Sequence, residues 1–250
     1  MNASSYSPAR HPVPLDPLAL YAGGIDGSDY VARLSPIIRR LAPAICDLID
    51  IGAGGGQLGA ALVAPGRRWT AIEPSPTMQA RLADHPAGPE IIPRGWDEDF
   101  PCPPADTVLA ATMPGYFSDA RGFLARCRRW ATRRIVWVVA AQNAPKGLIC
   151  AACLPREWHG EDETPGIDLV RPHLADDPPD RSDAVDWTFA LDLPDLTAFA
   201  AFQADRLGWP PDDPRRPQLL SHLRQQAEPT PLGRRLSCHR RSAILVWDLS

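Results

Sequence analysis

Residues 47–57 read Asp47-Leu-Ile-Asp-Ile-Gly-Ala-Gly-Gly-Gly-Gln57. An apolar run carrying one acid, Asp50, breaks into a loop with glycine at 52, 54, 55 and 56. The run has the length and composition of a strand buried in a parallel sheet. The glycines let the backbone turn sharply and let a ligand approach without meeting a Cβ. The next residues, Gln57-Leu-Gly-Ala-Ala-Leu-Val63, read as a helix whose first N–H groups have no partners within it. Strand, glycine loop and helix are the plan of a nucleotide-type cofactor site.

Two glycine spacings overlap here. Gly54, Gly56 and Gly59 meet the dinucleotide pattern G-x-G-x-x-G, yet counting from Gly52 puts Gln57 where the third glycine belongs. Asp50, Gly52, Gly54 and Gly56 meet Asp-x-Gly-x-Gly-x-Gly. In this pattern the chain resembles the class I S-adenosylmethionine-dependent methyltransferases. The resemblance implies that Gly52, Ala53, Gly54 and Gly56 wrap the methionine part of the cofactor. It also implies that Asp50 helps to orient the cofactor's amino group.

About twenty residues beyond the loop, Arg68-Trp-Thr-Ala-Ile-Glu-Pro74 is a second short apolar run ending in an acid. A carboxylate at that spacing has lone pairs for both ribose hydroxyls. Glu73, with Pro74 beside it, therefore marks a ribose, and it serves NAD and S-adenosylmethionine alike. The third segment, Ile91-Ile-Pro-Arg-Gly-Trp-Asp-Glu-Asp-Phe-Pro101, resembles the family's Gly-Asp-Ala-x-x-Leu-Pro. Aligned on Gly95 and Phe100-Pro101, Trp96 stands in place of the adenine-binding acid and Asp97 in place of the small residue. Either Asp97 accepts from the adenine amino group, or Trp96 packs on the purine ring, to which an aromatic face is suited. The fourth segment, Asp106-Thr-Val-Leu-Ala-Ala111, reads as a strand. By the same resemblance its carboxyl end, with Thr112, Met113 and Tyr116, opens on the transferable methyl group. The sequence Ala111-Thr-Met-Pro114 there lacks the Asn/Asp-Pro-Pro-Tyr/Phe of the adenine N6 methyltransferases.

Strand and helix patterns alternate along the chain. Strands are expected near 47–52, 68–73, 90–93, 106–111 and 134–140, with helices at 56–64, 75–84 and 118–131. Later come a strand at 184–192, a helix at 197–207 and a terminal strand at 242–248. The fold class this implies is α/β, a doubly wound Rossmann-like, seven-stranded, mostly parallel sheet with an antiparallel C-terminal strand. Residues 1–42 read as an N-terminal arm with cap helices, and 43–250 as the methyltransferase domain. Among the cap residues Tyr21, Tyr30 and Arg33, the resemblance suggests contact with the cofactor, chiefly for Tyr30. A lid-like insertion after the fifth strand covers about residues 141–183. Its stretch 161–183 holds eight acids against two arginines, a solvated face or a surface for a cationic substrate.

Composition narrows the partners. The 250 residues carry a net charge of −4, enough chain for one sizeable core and no general case for nucleic-acid or membrane binding. Residues 212–241 do hold seven arginines against three acids, which keeps an RNA or protein substrate open as an alternative. No apolar run approaches a membrane span, and residues 1–20 lack a signal-peptide core, so a cytoplasmic location is expected. Six cysteines in such a chain are expected as free thiols. Cys150-Ala-Ala-Cys153 lacks a second pair at zinc spacing. His159 beside Glu161, Asp162 and Glu163 is one histidine among carboxylates, and no metal is expected.

The expected activity is S-adenosylmethionine-dependent methyl transfer to O, N, S or C of a small biosynthetic molecule. The cofactor carbon is already electrophilic, so the protein must align a nucleophile and, for O or N acceptors, remove a proton. His159, Tyr116 and Glu161 are the candidate bases, and His159 has the most suitable reference pKa. An NAD-dependent oxidoreductase and an inactive methyltransferase-like binding subunit are the other readings.

Overall fold

Alternate residues of the central strands serve opposite faces of one sheet, as strand geometry requires. Leu48, Leu109, Val136, Ile244 and Val246 join one apolar cluster, while Ile49, Val108, Ile135, Trp137 and Leu245 join the other. The computed structural model describes residues 15–113, 119–143, 150, 153–160 and 164–249. Its elements run α1 Pro17–Asp26, α2 Tyr30–Leu41, β1 Leu48–Ile51, α3 Gln57–Leu62, β2 Trp69–Ile72, α4 Pro76–Ala83, β3 Glu90–Ile92, β4 Ala105–Ala111, α5 Ala120–Trp130 and β5 Ala131–Ala140. They continue with α6 Arg156–His159, α7 Gly166–Val170, a 3₁₀ turn Arg171–Leu174, β6 Arg181–Leu193, α8 Leu196–Arg206, α9 Arg215–Gln226, β7 Glu228–Thr230 and β8 Gly233–Asp248.

The sheet order is β3-β2-β1-β4-β5-β8-β6, with β7 paired to β8. From β3 to β5 all neighbours are parallel. β8 then enters antiparallel to both β5 and β6. Helices α2, α3, α4, α8 and α9 cover one face, and α5, α7 and the 3₁₀ turn cover the other. Side-chain caps fix several helix starts. Ser75 accepts from the Met78 N–H, Asp119 from Gly122, and Asp195 from both Thr197 and Ala198, each meeting donors that the first turn leaves unpaired.

The expected sheet differs in one strand. Eight strands are present instead of seven, because Glu228–Thr230 forms a short hairpin with the start of β8. Pro229 and the turn at Gly233 hide this segment from a strand pattern. β8 also runs sixteen residues rather than the expected seven. Its first half alternates buried Leu236 and Cys238 with charged neighbours, and Arg235 pairs there with Asp192 of β6 at 2.6 Å. Helix α9 was not visible in the pattern, since only Leu219 and Leu223 on it are buried.

Among the described residues, acids of the insertion have structural partners. Asp176 and Asp177 pair with Arg121 and Arg128 of α5, at 2.7 and 2.6 Å. Asp168 pairs with Arg171, Asp183 with Arg40, and Asp180 accepts the N–H of Asp248. Such exposed pairs contribute little energy singly, but together they set where the segment lies against α5 and the sheet. Deep in the α5 layer, Trp137 is fully buried between Phe123 and Trp247, with ring centroids 4.9 and 6.3 Å away. Trp137→Ala is expected to lower unfolding free energy by about 3–5 kcal/mol, read from the urea midpoint.

Candidate functional site

Period two puts Asp50 on the same side of β1 as Leu48, facing α3. It is buried, 3% exposed. A Cβ built on Gly59 of α3 would lie 2.2 Å from its Oδ2 and 3.0 Å from the Trp69 ring. Gly59, the third glycine of the apparent dinucleotide pattern, is therefore what lets α3 close down over the acid. Glu73 follows β2 and is also buried. Its Oε2 accepts from the Gly54 N–H at 2.9 Å and its Oε1 from the Ser75 N–H at 2.8 Å. Gln79 of α4 donates to the Glu73 carbonyl at 2.8 Å. The acid after the second strand is thus fastened directly to the glycine loop. Burial, and then the charge of Glu73, push the Asp50 carboxyl up to about 8.

The loop conformation demands glycine where the spacing put it. Gly52, Gly54 and Gly56 have φ of +62°, +56° and +83°, a region that other residues enter at a cost. A Cβ at Gly54 would meet nothing within 4 Å, whereas at Gly52 it would strike Met113. Gly54 therefore borders open space, and Met113 is packed onto the start of the loop. Trp69 and Leu82 form the floor under Gly56. Sequence reasoning missed Trp69 as part of the site. Its one signal was an aromatic opening the strand that ends in Glu73.

Thr112, at the carboxyl end of β4, also has a left-handed φ of +56°, unusual for a β-branched residue. The Tyr30 hydroxyl lies 3.0 Å from its Oγ1. Tyr30 is itself buried edge-on against Trp187 of β6. The structure thus brings Tyr30, Thr112, Met113 and the glycine loop to one edge of the sheet. Tyr21 and Arg33 go elsewhere. Tyr21 stacks on Phe189, and Arg33 donates to the Asp186 carbonyl at 3.1 Å.

Trp96 is half-buried and stands edge-on to Phe123, centroids 5.1 Å apart, on the α5 side of the sheet. Asp97 is exposed beside Gly95, whose N–H donates to Glu98 at 2.7 Å. Pro74 is exposed at the start of the turn into α4. Among the candidate bases, His159 ends α6, and its neighbour Trp158 packs edge-on against Trp209 and His222. Tyr116 and Glu161 lie outside the described residues, as does the arm before residue 15. Among the described residues no group of side chains is disposed to hold a metal, and no helix is long and apolar enough to cross a membrane.

The arginine-rich C-terminal stretch is largely engaged. Arg215, Arg216, Arg235 and Arg241 pair with Asp213, Asp205, Asp192 and Asp186. Arg240 lies over the Phe189 ring at 5.9 Å.

No protein-family model and no curated protein matches the chain. Solved structures do. A provisionally assigned type II methyltransferase of Anaeromyxobacter dehalogenans superposes with a TM-score of 0.54 at 19% identity, over 86% of this chain and 94% of that one. A provisionally assigned methyltransferase of Bacillus halodurans gives 0.49 at 11% identity, covering 87% and 98%. The magnesium protoporphyrin IX methyltransferase of Synechocystis, solved with bound S-adenosylmethionine, gives 0.45 at 12%, covering 94% and 86%. The first of these likenesses establishes the fold.

Two measurements check the buried acid and its glycine. Gly59→Ala is expected to cost about 1–3 kcal/mol by overpacking, read as a lower urea midpoint. For Asp50 the folded carboxyl titrates above its ordinary value of 3.8. Its contribution to stability is therefore full below about pH 4 and lost as pH rises through about 8. Relative to Asp50→Asn, the natural chain should lose stability between about pH 4 and about pH 8. Parallel midpoints across that range would contradict the burial of this acid.

Proposed function

We propose that this chain is an S-adenosylmethionine-dependent methyltransferase acting on a small biosynthetic molecule. The observation that carries the reading is the bond between the Gly54 N–H and the Glu73 carboxylate, at the carboxyl ends of β1 and β2. It joins the two signatures of a nucleoside site in one place. A dinucleotide domain has the order 3-2-1-4-5-6. Here the antiparallel β8 stands between β5 and β6, which favours the methyltransferase reading over NAD.

The residues present fit that cofactor. Gly54 turns its Cβ side to open space, so backbone N–H groups of the loop can be approached closely. Each Glu73 oxygen uses one lone pair on a backbone N–H and keeps another for a ribose hydroxyl. Bound S-adenosylmethionine supplies a methyl group made electrophilic by its sulfonium. Glu73 orients the ribose, and Asp50 favours an ammonium group nearby. Asp97 offers a carboxylate to the adenine edge. Trp96, turned to Phe123, supports that loop from the core side. Tyr30 and Thr112 shape the β4 end, where an acceptor is held in line. Proton removal, where the acceptor needs it, falls to His159, Tyr116 or Glu161. A small acceptor is favoured because the C-terminal arginines are mostly paired with carboxylates and present little free charge to phosphates.

Isothermal titration with S-adenosylhomocysteine and, separately, NADH tests this reading. Binding of the first and none of the second is expected. Glu73→Gln should weaken S-adenosylhomocysteine by tenfold or more with the far-ultraviolet spectrum unchanged. NADH binding, or no binding of S-adenosylhomocysteine, overturns the proposal.

A further inference from the structure

Three thiols from distant parts of the chain meet away from the glycine loop. Cys150 and Cys153 lie within the insertion, and Cys238 lies on β8 opposite Phe189 of β6. The Cys153 and Cys238 sulfurs, 85 residues apart in sequence, are 3.1 Å apart in space. A disulfide bond is about 2.05 Å, so roughly 1 Å of approach separates the two states. Cys150 is buried with a left-handed φ of +55°, and its thiol also hydrogen-bonds that of Cys238. The surrounding frame holds the pair. His222 of α9 lies within hydrogen-bond distance of the Cys153 carbonyl through Nε2, and the His222 ring packs on Trp158. With that nitrogen turned to a carbonyl, and no metal-holding group among the described residues, the thiols are not arranged around an ion.

We propose that Cys153 and Cys238 are a reversible disulfide site that fastens the start of the insertion to β8. The oxidant is a peroxide. Cys153 is half-buried and is the more accessible sulfur; Cys238 is 3% exposed. The Cys153 sulfur attacks one peroxide oxygen, the O–O bond breaks, and sulfenic acid and water result. The Cys238 sulfur then attacks the sulfenic sulfur, the S–O bond breaks, and a second water leaves with the thiol proton. In sum two thiols and one hydrogen peroxide give one disulfide and two waters. Two electrons pass from the sulfurs to the peroxide. A dithiol reductant reverses the step by thiol–disulfide exchange. The Cys238 thiol is held at about 12, first by its hydrogen bond to Cys150, and its bond to Cys238 together with burial raises Cys153 as well. Both sulfurs are thus mostly protonated at neutral pH, which makes the closure slow. The site rests on no assumption about the cofactor.

The test uses the full chain carrying Cys46→Ser and Cys102→Ser, which removes the half-buried thiols outside the cluster. The reduced protein is treated with hydrogen peroxide, blocked with iodoacetamide and digested with trypsin. The expected product links peptide 147–156 to peptide 236–240, disappears after dithiothreitol, and persists in Cys150→Ser but not in Cys153→Ser. Oxidised protein should also resist proteolysis at Arg156 several-fold better than reduced protein. Sulfinic or sulfonic acid on separate cysteines, a linkage through Cys150 alone, or an intermolecular dimer would overturn the proposal. Unchanged cleavage at Arg156 despite the linkage would overturn the fastening. Circular dichroism of Cys153→Ser, matching the parent, separates loss of the bond from loss of the fold.

Discussion

Two buried acids, Asp50 and Glu73, lie close enough for the Glu73 charge to act on Asp50, and much of the molecule is shaped around holding them. Burying one acid is costly and burying two together more so. The glycine loop answers part of that cost by donating the Gly54 N–H to Glu73, and the turn into α4 donates the Ser75 N–H. The Gly54 donor sits in a stretch of backbone that passes through left-handed conformations at Gly52, Gly54 and Gly56. Gly59 completes the arrangement by omitting the Cβ that would displace Asp50. The glycines are thus the backbone's means of reaching the acids as much as of admitting a ligand.

The stability that permits such a site comes from the opposite half of the sheet. Trp137, Trp247 and Phe123 form a fully buried aromatic layer. β8 contributes to it while running against its neighbours, and its far end is anchored by Arg134. That arginine is buried, binds Asp248 at 2.9 Å and reaches back to the Pro43 carbonyl at 2.8 Å. One side chain therefore ties the last strand to the segment that leads into β1. The ion pairs from the insertion to α5 belong to the same half. Strain at the carboxyl edge, at Thr112, is held in place by the packed layers around it.

What was legible in the sequence follows from how much chemistry each position allows. Asp50, the glycines and Glu73 were readable because backbone geometry and a carboxylate leave few substitutes. The parallel core strands were readable because burial on both faces forces apolar runs. α9 and the first half of β8 were not, because each buries only a few residues and its arginines are spent on aspartates whose positions no local pattern reveals. The acids at 161–183 read as a solvated face or a surface for a cation, and the partners of the described ones were hidden for the same reason. Arg121 and Arg128, the partners of Asp176 and Asp177, lie some fifty residues earlier and meet them only in the fold. Trp96 was read from an alignment of neighbours, while its environment is set by Phe123 across the helix layer.

The contrast between acids carries the argument one step further. Asp192 and Asp213 have carboxyls held below the ordinary range, chiefly by hydrogen bonds to Arg235 and Arg215. These are half-buried, and their arginine partners account for the shift. Asp50 is raised, and the causes are burial and another acid. A structural acid has no reason to be placed so, since an amide of the same shape would avoid the penalty. Perturbation of this sign gathers where a side chain meets a ligand. Under the methyltransferase reading, a cationic group arriving beside Asp50 and Glu73 meets the Glu73 charge and draws the raised Asp50 carboxyl toward its ionised form.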